Sequence, residues 1–292
     1  DTVLQKTHFC FDASIWEFYA PLINGATLCI LPPHLHQDTN ELKKIIRNKK
    51  ITTIQLVPTQ FKILLNEKNL SNYTKTLKNI YCGGEILPKN LVDTFYSLNI
   101  KANLHNLYGP TENTVDTTWY TCQKASIPRN IPIGKPLDNI TIYTLDENLK
   151  KTSINTPGEI YIAGANLARG YINNPKLTKE KFINNPFIPN TKMYKTGDFG
   201  KFLPDGNIEY LGRIDNQVKI NGYRIECEEI EKALLEHPHL KEVVVVTKAN
   251  SNQEKYLCAY YISNQNIRTK EFRKYLTKKF LDYMIPSFFI KL

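Results

Sequence analysis

No apolar run in this sequence approaches the ~20 residues that a bilayer-spanning helix requires. The longest β-branched run, Val243-Val244-Val245-Val246, has the length of one buried strand. A membrane is therefore not an expected partner, and no signal peptide is visible. There is no C-x-x-C pair either. The six cysteines, Cys10, Cys29, Cys82, Cys122, Cys227 and Cys258, are scattered, which argues against a zinc site or a disulfide framework and reads as reduced thiols of a cytoplasmic protein. His34-Leu35-His36 and His237-Pro238-His239 place histidines close together without a convincing set of metal-ligand partners nearby, so both read as surface or loop segments. The formal net charge of +10 comes from lysines spread along the chain among many Asn and Ile residues, not from a patch, so nucleic acid is not expected. Internal repeats and low-complexity linkers are absent, and so is an initiator methionine. The chain opens on Asp1 and closes on Leu292 just after Phe288-Phe289-Ile290, which reads as an unfinished strand; the expectation is a piece of a longer polypeptide.

What is present is ordinary for a globular chain: 292 residues, 41% hydrophobic and 23% charged, enough for about two domains. Strand-like and helix-like patterns alternate over the first part. The segments 26–31, 51–56, 102–107 and one ending near Tyr81 read as strands, and 39–47, 59–65 and 88–98 as helices, an α/β rhythm. From Ile131 to Gly212 short strand candidates at 140–145, 159–163 and 208–211 are separated by Gly, Pro and Asn turns. Beyond Arg213, strands at 218–220, 243–247 and 256–262 alternate with helices at 228–236 and 269–280. The expected fold is therefore α/β: a partial layered α/β subdomain (1–130), a small β-rich subdomain (131–213), a hinge (214–219) and an incomplete C-terminal α+β module (220–292).

Chemistry concentrates in Asn106-Leu107-Tyr108-Gly109-Pro110-Thr111-Glu112, where a strand runs into a turn carrying an aromatic ring, a hydroxyl and a carboxylate. Such a loop can stack a base, touch phosphate and bind a cation. The string resembles the adenine- and phosphate-binding signature of the superfamily of acyl-CoA synthetases, adenylation domains and luciferases. Further segments follow in that family's order: Phe11-Asp12-Ala13-Ser14, Gly158 to Gly164 with Leu167-Ala168-Arg169-Gly170-Tyr171, Tyr194-Lys195-Thr196-Gly197-Asp198, Gly212 to Glu226, and Leu281 to Pro286. Together they span essentially the whole chain, and the sequence is identified as similar to an adenylation domain of a nonribosomal peptide synthetase.

The resemblance implies a role for each matched residue. Asp198 would accept the ribose hydroxyls of the nucleotide, and Arg213 would donate to ribose or phosphate. Tyr108 would stack on adenine, Asn106 would read its exocyclic amine, and Gly83, Gly84 and Gly109 would let backbone approach the nucleotide. Tyr210 would line the ribose, Thr111 would contact the α-phosphate, and Glu112 would help to hold Mg²⁺. Asp215 and Lys219 match the hinge region, Lys219 being carried over as a catalytic residue with Thr111 and Glu112. The implied reaction uses ATP to form an acyl adenylate, then transfers the acyl group to a phosphopantetheine thiol on a peptidyl carrier domain, with a condensation domain expected in the same longer chain.

Asp12 separates an amino acid from a plain carboxylic acid, because a carboxylate in a mostly apolar pocket needs a cationic partner such as an α-ammonium. Residue-by-residue matching assigns the pocket lining to Asp12, Ala13, Trp16, Gln55, Ile80, Cys82, Leu107, Val115 and Asp116. Gln55 and Asp116 among apolar walls point to a side chain that hydrogen-bonds, glutamine or a similar one, although Ile80 and Cys82 depart from the glutamine pattern. The family's Ser/Thr/Gly-rich phosphate loop and its Asn-Gly-Lys segment do not occur between Asp1 and Leu292, so weak adenylation by the chain alone is expected. An acyl-CoA or aryl-acid ligase of the same superfamily, or a non-catalytic remnant that binds nucleotide or carrier protein, is the alternative.

Overall fold

The computed structural model describes residues 1–32, 35, 38–250, 255–265 and 267–292; His34 and His36 lie outside them. The chain divides into two compact units, Asp1–Ile214 and Asp215–Leu292.

Unit one opens with β1 (Thr2–Gln5), α1 (Ala13–Ile23), β2 (Thr27–Ile30), α2 (Thr39–Asn48), β3 (Thr53–Leu56), α3 (Pro58–Leu65), α4 (Leu70–Tyr73), β4 (Asn79–Cys82), α5 (Lys89–Ser97) and β5 (Asn103–Tyr108). These strands, with β6 (Thr118–Thr121) and β7 (Lys135–Pro136), build a seven-stranded sheet in the order β2-β1-β3-β4-β5-β6-β7. The first five are parallel, and β6 and β7 add antiparallel edges.

Parity within each strand decides which layer a side chain joins. Leu4, Ile54, Leu56, Ile80, Cys82 and Leu104 form one core with Leu42 and Ile46 of α2, Phe61 and Leu64 of α3 and Val92 and Phe95 of α5. Burying each of these side chains contributes about 1.5–3 kcal/mol. Local signals fix the helices: the Asp38 side chain accepts from the Glu41 amide at the start of α2, and Pro58 occupies the first turn of α3.

The opposite face of the sheet receives α1. Its inward residues are Ser14, Glu17 and Pro21, while Ile15, Tyr19, Leu22 and Ile23 are exposed. Glu17, fully buried, anchors the helix by accepting from the Lys6 amide (3.1 Å), the Thr7 amide (2.9 Å) and the Thr7 hydroxyl (2.7 Å). Burial pushes its carboxyl above the usual range, against the opposing pull of the Thr7 and Lys6 donors. Removing the carboxylate strands these donors. Glu17→Ala is expected to destabilise unit one by about 3 kcal/mol, read as a lowered thermal midpoint.

The rest of unit one is a five-stranded sheet of β8 (Ile140–Leu145), β9 (Gly158–Gly164), β10 (Phe182–Asn184), β11 (Lys192–Phe202) and β12 (Ile208–Arg213), with α6 (Pro175–Lys181) ahead of β10. Unit two contains the hairpin β13 (Gln217–Ile220) and β14 (Tyr223–Glu226), then α7 (Cys227–Leu235), β15 (Leu240–Ala249), β16 (Lys255–Ser263), α8 (Thr269–Leu276) and β17 (Phe288–Lys291). Strands β15, β16 and β17 form its three-stranded sheet. Phe272 of α8 stacks on Phe289 of β17 at 4.8 Å, and His237 packs against Phe272 and Tyr275, an aromatic setting instead of a metal site. All six cysteines are free thiols. Among the described residues, no helix is long and apolar enough to cross a membrane.

Candidate functional site

The turn after β5 sits where the two sheets of unit one meet. Tyr108 is buried, and its hydroxyl donates to Asp198 Oδ2 at 2.6 Å across 90 residues of sequence. Burial, reinforced by the charge of Asp198, raises the Tyr108 phenol well above its ordinary range. Arg213 on β12 donates to Asp198 Oδ1 at 2.9 Å and to the Thr196 carbonyl at 3.0 Å, and the Tyr210 hydroxyl lies 3.4 Å from Oδ1. The residue types of Thr196-Gly197-Asp198 favour a turn. Asp198 lies instead inside β11, where pairing with β9 slips between Lys195 and Phe199. Gly197 takes φ +75° in this irregular stretch, and its amide is held by Glu159 Oε1 at 3.1 Å. A bulge of this kind re-aims a side chain without ending the strand.

Strand β5 divides the site by parity. Asn106 shares a face with Cys82 and Leu56 through the parallel register, whereas His105 shares the other with Tyr81 and Gln55. Leu107, two residues beyond His105, belongs to that second face. Asn106 donates Nδ2 to the Pro132 carbonyl at 2.8 Å, and its buried Oδ1 has no hydrogen-bond partner among the described residues. An orphaned acceptor there suits an incoming N–H donor such as an exocyclic amine.

On the second face, Trp16 of α1 donates its indole N–H to Gln55 Oε1 and meets the Tyr81 ring edge-on at 5.5 Å. Since an indole N–H only donates, this contact fixes the Gln55 amide with Oε1 toward Trp16. Burial, and after it the charge of Asp116, pushes the Tyr81 phenol up. A Cβ on Gly83 would sit 3.4 Å from the Leu107 Cβ, so Gly83 also faces this side. Gly84 follows at φ +85°.

Ile80 and Cys82, also expected in this lining, lie on the other face of β4. Both are buried in the core on the far side of β4; the residues that β4 and its extension turn toward Gln55 and Leu107 are Tyr81 and Gly83. Register sets Ile80 and Cys82 on the face opposite Gln55 and Leu107, because in a strand one position reverses the face. Strand parity is the sequence signal that singles out Tyr81 as a further candidate. Ile80→Ala is therefore expected to cost about 2–4 kcal/mol of stability and leave substrate choice intact, whereas Tyr81→Ala alters substrate choice. Thermal unfolding together with a substrate panel separates the two outcomes.

The segment Thr111–Asp116 joins both faces. Asp12, at the head of α1, accepts from the Val115 amide at 3.3 Å; Ala13 follows it. Val115 has φ +71° and Thr114 φ +57°, and a β-branched residue in that region is strained. The strain is held in place by Thr114 Oγ1 donating to the Asn166 carbonyl at 2.7 Å. Glu112 is buried, accepts from the Tyr171 hydroxyl at 2.7 Å, and its carbonyl accepts from the Ala168 amide at 2.9 Å, while Thr111 is exposed beside it. The role of Tyr171 was not foreseen. Among the described residues no group of three His, Cys, Asp or Glu side chains is placed to hold a metal. A cation at Glu112 would therefore be shared with substrate oxygens, the usual mode for Mg²⁺. Asp215 and Lys219 lie in unit two: Asp215 Oδ1 accepts from the Gln217 amide at 3.2 Å, and Lys219 pairs in register with Arg224.

A family model described as AMP-binding enzyme matches residues 1–172, more than half of the chain, and one described as AMP-binding enzyme C-terminal domain matches residues 229–292. The chain belongs to the AMP-binding enzyme family. Within it, the chain is 46% identical over 290 residues to tyrocidine synthase 3 of Brevibacillus parabrevis, with 99% of the chain covered, and 41% identical over 292 residues to gramicidin S synthase 1 of Brevibacillus brevis, with 100% covered. It spans only 4% of the length of the first and 26% of the second. Among solved structures, it matches an artificially fused adenylation–PCP di-domain of a nonribosomal peptide synthetase from Klebsiella oxytoca with a TM-score of 0.86 at 28% identity, covering 99% of the chain and 53% of that one. A four-domain nonribosomal peptide synthetase bound to AMP and glycine matches at 34% identity and a TM-score of 0.66, over 100% of the chain and 22% of that one. These matches make the chain an adenylation-domain segment of the nonribosomal peptide synthetase kind.

Proposed function

We propose that this chain, as part of a longer polypeptide, activates an amino acid with ATP to aminoacyl-AMP and passes it to a phosphopantetheine thiol on a carrier domain. The observation that carries this reading is the division of β5, with an orphaned acceptor and the Asp198 cluster on one side and Asp12, Gln55 and Tyr81 around the other. Asp198 has two carboxylate oxygens with about four acceptor positions, and its longest bond, to Tyr210, is the one a ribose hydroxyl replaces. Asn106 Oδ1 accepts from the adenine amine and Tyr108 packs on the ring. Asp12 holds the α-ammonium of the substrate.

The substrate carboxylate then forms a bond to the α-phosphorus as the bond to pyrophosphate breaks. Arg213 and the Thr111 hydroxyl lie on the phosphate side of this transfer, where donors stabilise developing charge. Glu112 would help to hold a Mg²⁺ ion, which when bound would supply charge stabilisation to phosphate oxygens. Lys219 and Asp215 are carried over as residues of a moving second unit.

Glutamine, or a closely similar amide, is the proposed substrate. With Oε1 turned to Trp16, Gln55 presents its amide N–H groups to a substrate carbonyl, and Asp116 accepts from a substrate amide. Amino-acid-dependent pyrophosphate exchange by the full-length polypeptide tests both levels. Exchange that favours glutamine over leucine and phenylalanine supports the whole reading; equal rates sink the substrate, and exchange with no amino acid sinks the activity.

A further inference from the structure

One cavity of unit one lies apart from the nucleotide site. It lies outside β8 and β9, has a volume of about 580 Å³, and is bounded by the loop after β9, by α6 and by the segment between β10 and β11. That size lies within the range of small-molecule sites. Leu167 and Phe182 give it an apolar floor, and Arg169, Lys179 and Lys192 line it without any acidic side chain. Lys192 donates to Asn184 Oδ1 at 2.6 Å, whereas Arg169 and Lys179 have no hydrogen bond or ion pair among the described residues. A fourth residue is unlike a solvated surface group. Asn185 is 5% exposed, its Oδ1 is occupied by the Phe187 amide at 2.9 Å, and its buried Nδ2 has no partner among the described residues. A buried amide donor without an acceptor is costly, and it borders a cavity lined by uncompensated positive charge.

We propose that this cavity binds a small amphiphilic anion, a carboxylate or phosphate on a compact apolar body, independently of the nucleotide site. The cations take the anionic head, the body rests on Leu167 and Phe182, and Asn185 stands at the cavity wall. The inference does not depend on the proposed function, since none of these residues is assigned to adenylation. The cavity wall does connect to that site: the loop carrying Leu167 supplies the Ala168 amide and the Tyr171 hydroxyl that hold Glu112. Thr178 of α6 pins the same loop by accepting from the Tyr171 amide at 2.9 Å.

Calorimetric titration of the full chain with phenyl phosphate and with benzoate tests the site, and the tighter of the two identifies the preferred head group. Inorganic phosphate, which lacks the body, and benzyl alcohol, which lacks the charge, are expected to bind at least about tenfold more weakly. The Arg169→Gln/Lys179→Gln double variant changes exposed side chains and retains the fold. Asn185→Asp retains the acceptor for Phe187 while replacing the donor with a repelling charge. Each is expected to weaken binding by about tenfold or more, with AMP failing to compete. No saturable binding of either probe, affinity unchanged in both variants, or displacement by AMP would overturn the proposal.

Discussion

Asp198→Asn is expected to weaken nucleotide binding by about a hundredfold, the loss that follows when hydrogen bonds to a charged acceptor become hydrogen bonds to a neutral one. The substitution preserves volume, so a cavity does not explain the effect. The Asp198 and Arg213 side chains are 7% and 14% exposed, which makes the carboxylate the compensating charge for a largely desolvated guanidinium. Neutralising it leaves that cation with a weaker partner and costs about 1–3 kcal/mol of stability as well. The two effects are separable: AMP titration reads the first and thermal unfolding without ligand the second. Arg213→Lys helps to divide them, because a lysine retains the charge but loses the paired reach to Asp198 and the Thr196 carbonyl. It is expected to lower stability less than Asp198→Asn.

Gly109→Ala has a different cause and a comparable magnitude. A Cβ on Gly109 would lie 2.0 Å from the Val115 carbonyl oxygen and 2.6 Å from the Asp116 Cα. Both are backbone atoms, so no rotamer change relieves the clash. The segment from Thr111 to Asp116 must move, taking with it the Val115 amide that holds Asp12, the Glu112 carboxylate and the strained backbone at Thr114 and Val115. A loss of about 3 kcal/mol in stability is expected from overpacking alone. Adenylate formation is expected to fall below one percent of the parent rate, about 2.7 kcal/mol or more, because residues of both substrate pockets lose position together. Pyrophosphate exchange below the unfolding temperature of the variant measures this. Near-normal exchange would mean that the turn tolerates a shift the geometry forbids.

The central strands of the first sheet were legible because short stretches at β3, β4 and β5, β-branched at β3 and mixed apolar at β4 and β5, alternate with helical patterns. Helix α1 was not. Its apolar side chains Ile15, Tyr19, Leu22 and Ile23 are exposed while Ser14 and Glu17 face inward, so its pattern is reversed from that of an ordinary amphipathic helix. Strand β11 was hidden by Thr196-Gly197-Asp198, whose residue types signal a turn and in fact mark an irregularity inside eleven residues of strand. Motif residues around Tyr108 were legible as a set because their types and order are specific. Their mutual contacts were not, since Tyr108 to Asp198 and Glu112 to Tyr171 are long-range pairs that only folding brings together. On β4 one position separates Tyr81, on the face of Gln55, from Ile80 in the core, a difference that residue matching alone does not show.

Titration of the full-length polypeptide with a nonhydrolysable glutaminyl-AMP mimic tests the central claim most directly, because the two faces of β5 must then act on one molecule. The account predicts saturable one-to-one binding at least about a hundredfold tighter than AMP, with that advantage lost in Asp12→Ala. Equal affinity for AMP and the mimic, or an advantage that survives Asp12→Ala, would contradict it.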